Sequence, residues 1–131
     1  MLQQIRANPN LKLIFLCNPG NPTATLLNPN DILTLLQSSF RGLIVVDEAY
    51  IDFADQPSLC SWLHAHDRLV ILQTLSKGFG LAGIRLGMAI ANPWLIQILN
   101  NVKAPYNINK LTQQVQTAST FWSTNPDCPM S

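Results

Sequence analysis

The sequence predicts an α/β fold built on an open, mostly parallel sheet, and three observations lead there. Apolar strand-like runs recur at residues 11–16, 43–46, 69–72 and 85–91. Segments with helical spacing alternate with them, as parallel crossovers require. Only 11% of the residues are charged and 47% are apolar. That balance suits strands buried on both faces, or a surface that normally meets partners.

Each element has its own warrant. Residues 11–16 are a continuous apolar run and read as a buried strand. Residues 29–40 open with turn residues and carry Ile32, Leu33, Leu35 and Leu36, a helical pattern. A second strand over 43–46 stops at Asp47, and 59–65 reads as a short helix. The third strand begins at 69–72 and runs towards Thr74; the fourth spans 85–91. The loop joining these two is too short for a parallel crossover, which predicts an antiparallel pair. Pro93 starts a helix over 93–100, since proline is preorganised for a first turn. Residues 107–122 set Ile108, Leu111, Val115, Ala118 and Phe121 on one face, an amphipathic helix. Residues 122–131 hold two prolines, a cysteine and little periodicity, so a core over 1–121 is expected to precede an irregular tail.

Composition narrows the class. A chain of 131 residues buries one core, and a net charge of +1 offers nothing to nucleic acid or anionic membrane. No apolar run approaches the roughly 18 residues of a membrane span. The opening Met1 to Arg6 lacks the apolar core of a signal peptide. Cys17, Cys60 and Cys128 are odd in number and widely spaced, reading as reduced thiols of a cytoplasmic protein.

In open α/β sheets, ligands lie outside the carboxyl ends of the strands, and three strands here end in reactive side chains. The first is followed by CNPGNPT at 17–23, with Asn21. The second ends in VVDEAYIDF at 45–53, with Asp47 and Tyr50. The third leads into TLSKGFGLAGIRLG at 74–87, with Thr74, Ser76, Lys77 and, eight residues on, Arg85. A lysine on a small-residue turn can form a Schiff base with an aldehyde cofactor. An acid can keep a pyridine nitrogen protonated, neutral donors can hold a ring hydroxyl, and an arginine with hydroxyls can grip a phosphate. These are the groups a pyridoxal phosphate site needs.

Plainer readings stand beside these. Lys77 reads also as a surface lysine, Asp47 as the cap of the next turn, and Asn21 as an Asn-Pro turn former. Arg85 reads also as the partner of an acid, and Thr74 and Ser76 as local turn bonding. Two decoys are rejected. Residues 78–83 fit G-x-G-x-x-G, but a strand-like run follows where a dinucleotide site needs a helix, and no acid lies near Lys103. His64, His66 and Asp67, with Cys60 nearby, read as a solvated connection and not a metal site.

With VKAPYNIN at 102–109, the three motifs resemble the fold-type-I (class II) aminotransferases, and most closely the histidinol-phosphate aminotransferase family, in order and spacing over about residues 11–120. The resemblance implies part of that family's large domain, a three-layer α/β/α arrangement with a mostly parallel sheet and one antiparallel strand. It implies pyridoxal 5'-phosphate on Lys77, Asp47 at the ring nitrogen, Asn21 and Tyr50 at the ring oxygen, and Thr74, Ser76 and Arg85 at the phosphate. The implied reaction is transamination between L-histidinol phosphate and 2-oxoglutarate in histidine biosynthesis, by a cytoplasmic homodimer, with Lys77 as proton shuttle. The alternatives are a threonine-phosphate decarboxylase-like enzyme and a non-catalytic fragment that keeps only the site motifs. Family members are much longer than this chain, and position 24 is Ala where the family usually has Gly.

Overall fold

The structure, a computed structural model, describes residues 2–118, with side chains from residue 3 to 115. Four strands, β1 (Leu13–Cys17), β2 (Leu43–Asp47), β3 (Leu69–Thr74) and β4 (Gly87–Ala91), form one sheet in the order β1-β2-β3-β4. β1, β2 and β3 run parallel, with Cys17 opposite Asp47 and Asp47 opposite Leu72. β4 is antiparallel to β3, pairing Thr74 with Gly87, as the short loop predicts. Among the described residues four helices accompany the sheet: α1 (Leu2–Ala7), α2 (Pro29–Leu36), α3 (Pro93–Val102) and α4 (Lys110–Ala118). The sequence carried no strong signal for α1. Among the described residues no helix is long and apolar enough to cross a membrane.

Two of the helices start alike. Asn28 accepts a hydrogen bond from the Asn30 amide at 2.9 Å and is followed by Pro29. Asn92 does the same for the Trp94 amide at 3.3 Å, followed by Pro93. Each cap satisfies an amide that has no partner within its helix, an effect of about 1 kcal/mol. The short helix expected over 59–65 is smaller, a 3₁₀ turn at Leu59–Trp62. Ser58 caps it by accepting from the Cys60 amide at 3.1 Å.

The sheet has an apolar layer on each side. On one face Ile14, Leu16, Ile44, Val46, Leu69 and Ile71 pack with Ile5 of α1, Ile32, Leu35 and Leu36 of α2, Phe40 and the turn at Leu59 and Cys60. On the other, Val45 and Val70 pack against Leu95 of α3. Ile32, Ile44, Leu69 and Ile71 are almost wholly enclosed, each contributing roughly 1.5–3 kcal/mol by burial. This is a three-layer arrangement around a mixed sheet.

Two expectations are corrected. β1 is not buried throughout: Ile14 and Leu16 face the core, but Leu13 and Phe15 are 46% and 65% exposed. β1 is an edge strand, and the layer around Leu95 of α3 takes in residues of β2, β3 and β4 but not Leu13 or Phe15. Nor does α4 bury its apolar stripe, for Leu111 and Val115 are exposed. It is Thr112 that is enclosed, its hydroxyl donating to the Ile84 carbonyl, so α4 docks on the Ala82–Ile84 turn through a polar contact. The side chains of Ala118 and Phe121, and the tail expected over 122–131, lie outside the described residues.

Candidate active site

The carboxyl ends of β1, β2 and β3 are level because the parallel register pairs Cys17, Asp47 and Leu72 across the sheet. Three loops therefore leave from one edge, and they carry the predicted residues. The first loop folds back on itself: the Gly20 amide donates to the Thr25 carbonyl at 2.9 Å, and the Ala24 amide donates to the Gly20 carbonyl at 2.8 Å. Its Asn18-Pro19 and Asn21-Pro22 bonds are cis. Asn18 is buried and anchors the loop, accepting from the Leu27 amide at 2.8 Å. Ala24 adopts φ +51°, a left-handed conformation that favours glycine. A glycine at this position would adopt the same conformation without steric cost.

Asn21 reaches from this loop to the next, its Nδ2 donating to the Tyr50 hydroxyl at 3.0 Å. With its oxygen accepting, the phenol keeps its own proton to donate. From the third loop, Lys77 Nζ lies 5.2 Å from the centroid of the Tyr50 ring, a cation–π contact. Residues 29 and 27 positions apart in sequence thus meet at one side chain. Beside them a cleft of about 430 Å³ is lined by Asn21, Pro22, Leu26, Tyr50, Phe53 and Asp55, among others.

Asp47 is half-buried at the end of β2. Its Oδ1 accepts from the Ala49 amide at 3.0 Å, so it does cap the following turn. Among the described residues, Oδ2 has no partner and is available to a ligand. The phosphate-side group is separate. The Thr74 hydroxyl donates to the Leu86 carbonyl at 3.2 Å and accepts from the Ser76 amide at 3.2 Å, so it is engaged within the loop. Arg85 is exposed, at φ +55°, with one guanidinium N–H donating to the Ala82 carbonyl at 3.0 Å. Its remaining donors have no partner among the described residues. No hydrogen bond links this group directly to Asn21, Tyr50 or Asp47 among the described residues.

Two acids carry roles that sequence reasoning missed. Glu48, next to Asp47, is 1% exposed and takes hydrogen bonds from Ser58, Leu59 and Gln73. Strand alternation was the available signal, since it turns neighbouring Asp47 and Glu48 to opposite faces. Asp52 sits against the lysine loop: a Cβ on Gly78 would fall 2.4 Å from its Oδ2. Loss of water raises the Asp52 carboxyl above its ordinary range, partly offset by a hydrogen bond from its own backbone. No local sequence signal joins Asp52 to Gly78, because the contact arises from loop packing. The GFGLAG run leads through the Ala82–Ile84 turn into a strand, so its glycines do not open a helix.

The donor set fits an aldehyde cofactor with a pyridine ring: a primary amine, a carboxylate with a spare oxygen, an amide-held phenol, and an arginine with spare donors. The family comparison agrees. The model for aminotransferase class I and II matches residues 1–124. The chain belongs to the class I and II aminotransferase family. Histidinol-phosphate aminotransferase of Flavobacterium johnsoniae is 51% identical over 105 residues, covering 80% of this chain and 30% of that protein. The Candida maltosa enzyme of the same name is 49% identical over 124 residues, covering 92% of this chain and 32% of that protein. The chain thus spans about a third of the length of these curated relatives. Among solved structures, histidinol-phosphate aminotransferase from Sinorhizobium meliloti in complex with pyridoxal-5'-phosphate superposes with a TM-score of 0.73. It is 25% identical, over 85% of this chain and 31% of that one. L-threonine-O-3-phosphate decarboxylase from Porphyromonas gingivalis superposes with a TM-score of 0.74 at 26% identity, over 84% and 34%.

Proposed function

We propose that this chain carries the pyridoxal-phosphate-binding part of an aminotransferase that moves the amino group of L-histidinol phosphate to 2-oxoglutarate. The observation behind this is the meeting of Lys77 and Asn21 on Tyr50 at the level ends of three strands. When bound, the cofactor supplies an aldehyde and an electron-withdrawing ring. Lys77 provides the amine that attaches covalently. Once free, the same amine would serve as base and then acid for the proton on the substrate carbon that bears nitrogen. Asp47, through its spare oxygen, holds the proton on the ring nitrogen. Tyr50, oriented by Asn21, donates to the ring oxygen. Arg85 and Ser76 take the phosphate, with Thr74 shaping the loop that presents them.

The choice of amino donor rests on the name of the half-identical relatives; a homodimer, a cytoplasmic setting and a place in histidine biosynthesis are carried over from the family resemblance of the motifs. A second reading, decarboxylation of a threonine phosphate, is favoured by the likeness to the Porphyromonas gingivalis enzyme. It would use the same cofactor residues. Mixing the purified chain with pyridoxal phosphate, reducing with borohydride and mapping peptides tests the site. The expected result is a visible absorbance band and a pyridoxyl label on Lys77, both lost in Lys77→Ala. A folded chain without a band, or a Lys77→Ala variant that keeps it, defeats the proposal and leaves the non-catalytic reading. A loaded protein whose spectrum responds to threonine phosphate but not to histidinol phosphate favours the second reading.

A further inference from the structure

We infer that Glu48, a residue outside the cofactor contacts, is a positioning residue that sets the distance between the acid–phenol side and the lysine side of the site. The inference rests on the cofactor reading above. Glu48 follows Asp47 and stands two residues before Tyr50; Gln73 precedes Thr74 and stands four residues before Lys77. Between them lies one enclosed carboxylate on which three donors converge. Its Oε2 accepts from the Ser58 hydroxyl at 2.6 Å and from Gln73 Nε2 at 3.0 Å, and its Oε1 accepts from the Leu59 amide at 2.8 Å. Gln73 Nε2 also reaches Ser58 Oγ at 3.2 Å. The Glu48 backbone repeats the tie, its amide donating to the Leu72 carbonyl at 2.8 Å.

A buried carboxylate is costly unless it is hydrogen-bonded, and here three neutral donors serve it, with no cation against it among the described residues. An apolar side chain would pack this position more cheaply, so stability alone does not account for an acid. What the acid adds is direction. Charge-assisted hydrogen bonds are short and oriented, and these three fasten the end of β2, the end of β3 and the turn at 58–60 into one rigid unit. Gln73 and Glu48 lie on the face packed by Leu59 and Cys60, whereas Asp47 alternates to the other face. The clamp therefore operates from behind the sheet and leaves the ligand side open.

Glu48→Gln separates charge from shape. The amide can keep the Leu59 contact while the Ser58 hydroxyl and the Gln73 amide turn over to accept, so the fold has a hydrogen-bonded solution. Two measurements are made on the full chain: pyridoxal phosphate affinity from the visible band, and amide hydrogen exchange over residues 74–80 without cofactor. Glu48→Gln is expected to weaken affinity by about tenfold and shift the pH midpoint of the band. Glu48→Ala is expected to do more and to speed exchange over 74–80 by about tenfold as well. Phe40→Leu, which loosens the core away from the site, should lower the unfolding midpoint while leaving affinity, pH midpoint and loop exchange unchanged. Both Glu48 variants matching the parent in affinity, or losing no more than Phe40→Leu, overturns the inference. A parent chain that takes up no pyridoxal phosphate overturns the cofactor reading itself, and this inference with it.

Discussion

Replacing Ala24 by glycine should stabilise the protein, against the usual cost of adding a glycine. Ala24 stands at φ +51°, where its Cβ crowds the backbone carbonyl. For a residue other than glycine the left-handed conformation costs roughly 1–2 kcal/mol. Glycine removes that cost but adds unfolded-state freedom worth roughly 0.5–1 kcal/mol in the opposite sense. The Ala24 methyl is exposed, so little packing is lost, and the 2.8 Å bond from its amide to the Gly20 carbonyl is a backbone contact that glycine keeps. The net gain is about 0.5–1 kcal/mol, or about 2–5 °C in Tm for a chain of this size. Urea unfolding followed by tryptophan fluorescence, with a parallel thermal scan, measures it. The slope against urea should be unchanged and the midpoint higher. A midpoint equal to or below the parent's refutes the reasoning, because the loop would then hold no strain for glycine to release.

Two further predictions concern the lysine loop. Gly78→Ala should lower the unfolding free energy by about 1–3 kcal/mol, and with it the midpoint, and weaken pyridoxal phosphate uptake. The added Cβ falls 2.4 Å from Asp52 Oδ2 and 2.5 Å from Asp52 Cβ, and Asp52→Gly in the same chain should restore both properties. A Gly78→Ala variant with the parent's titration curve and midpoint counts against the packing argument. Asp52 itself should leave a pH signature. Its folded pKa is raised by loss of water, so the native state holds a proton that the unfolded chain has released. Stability therefore falls as pH rises from the ordinary aspartate value, about 3.9, through the raised one. Asp52→Asn should match the parent's urea midpoint near pH 3 and exceed it by pH 7, modestly, since water screens an exposed carboxylate. Superimposable profiles across that range would show that the carboxyl is not desolvated.

Much of the candidate site was readable because its residues lie at predictable places. An apolar run that stops at a polar residue marks a strand end, and parallel strands bring such ends to one edge. Asp47, Tyr50 and Lys77 all follow from that rule. The antiparallel β4 followed from loop length alone. Other features depended on partners distant in sequence. Glu48 reads as one more acid until Ser58, Leu59 and Gln73 are seen around it. Gly78 reads as a spacer until Asp52 lies against it. The bond from the Thr74 hydroxyl to the Leu86 carbonyl likewise joins residues 12 positions apart.

The alternating α/β order, the strand ends that carry reactive groups, and the family could all be read from the chain alone. Each depends on local periodicity or on short motifs, which neighbouring residues specify. Which apolar faces are covered depends instead on contacts between distant parts of the chain. Phe15 and Leu13 are as apolar as Ile14 and Leu16, and their exposure follows from β1 being an edge strand with one face packed. Leu111 and Val115 sit at helical spacing, yet α4 docks through Thr112. Hydrophobic spacing states which side of an element seeks a neighbour; whether a neighbour arrives is settled by the packing of the whole chain.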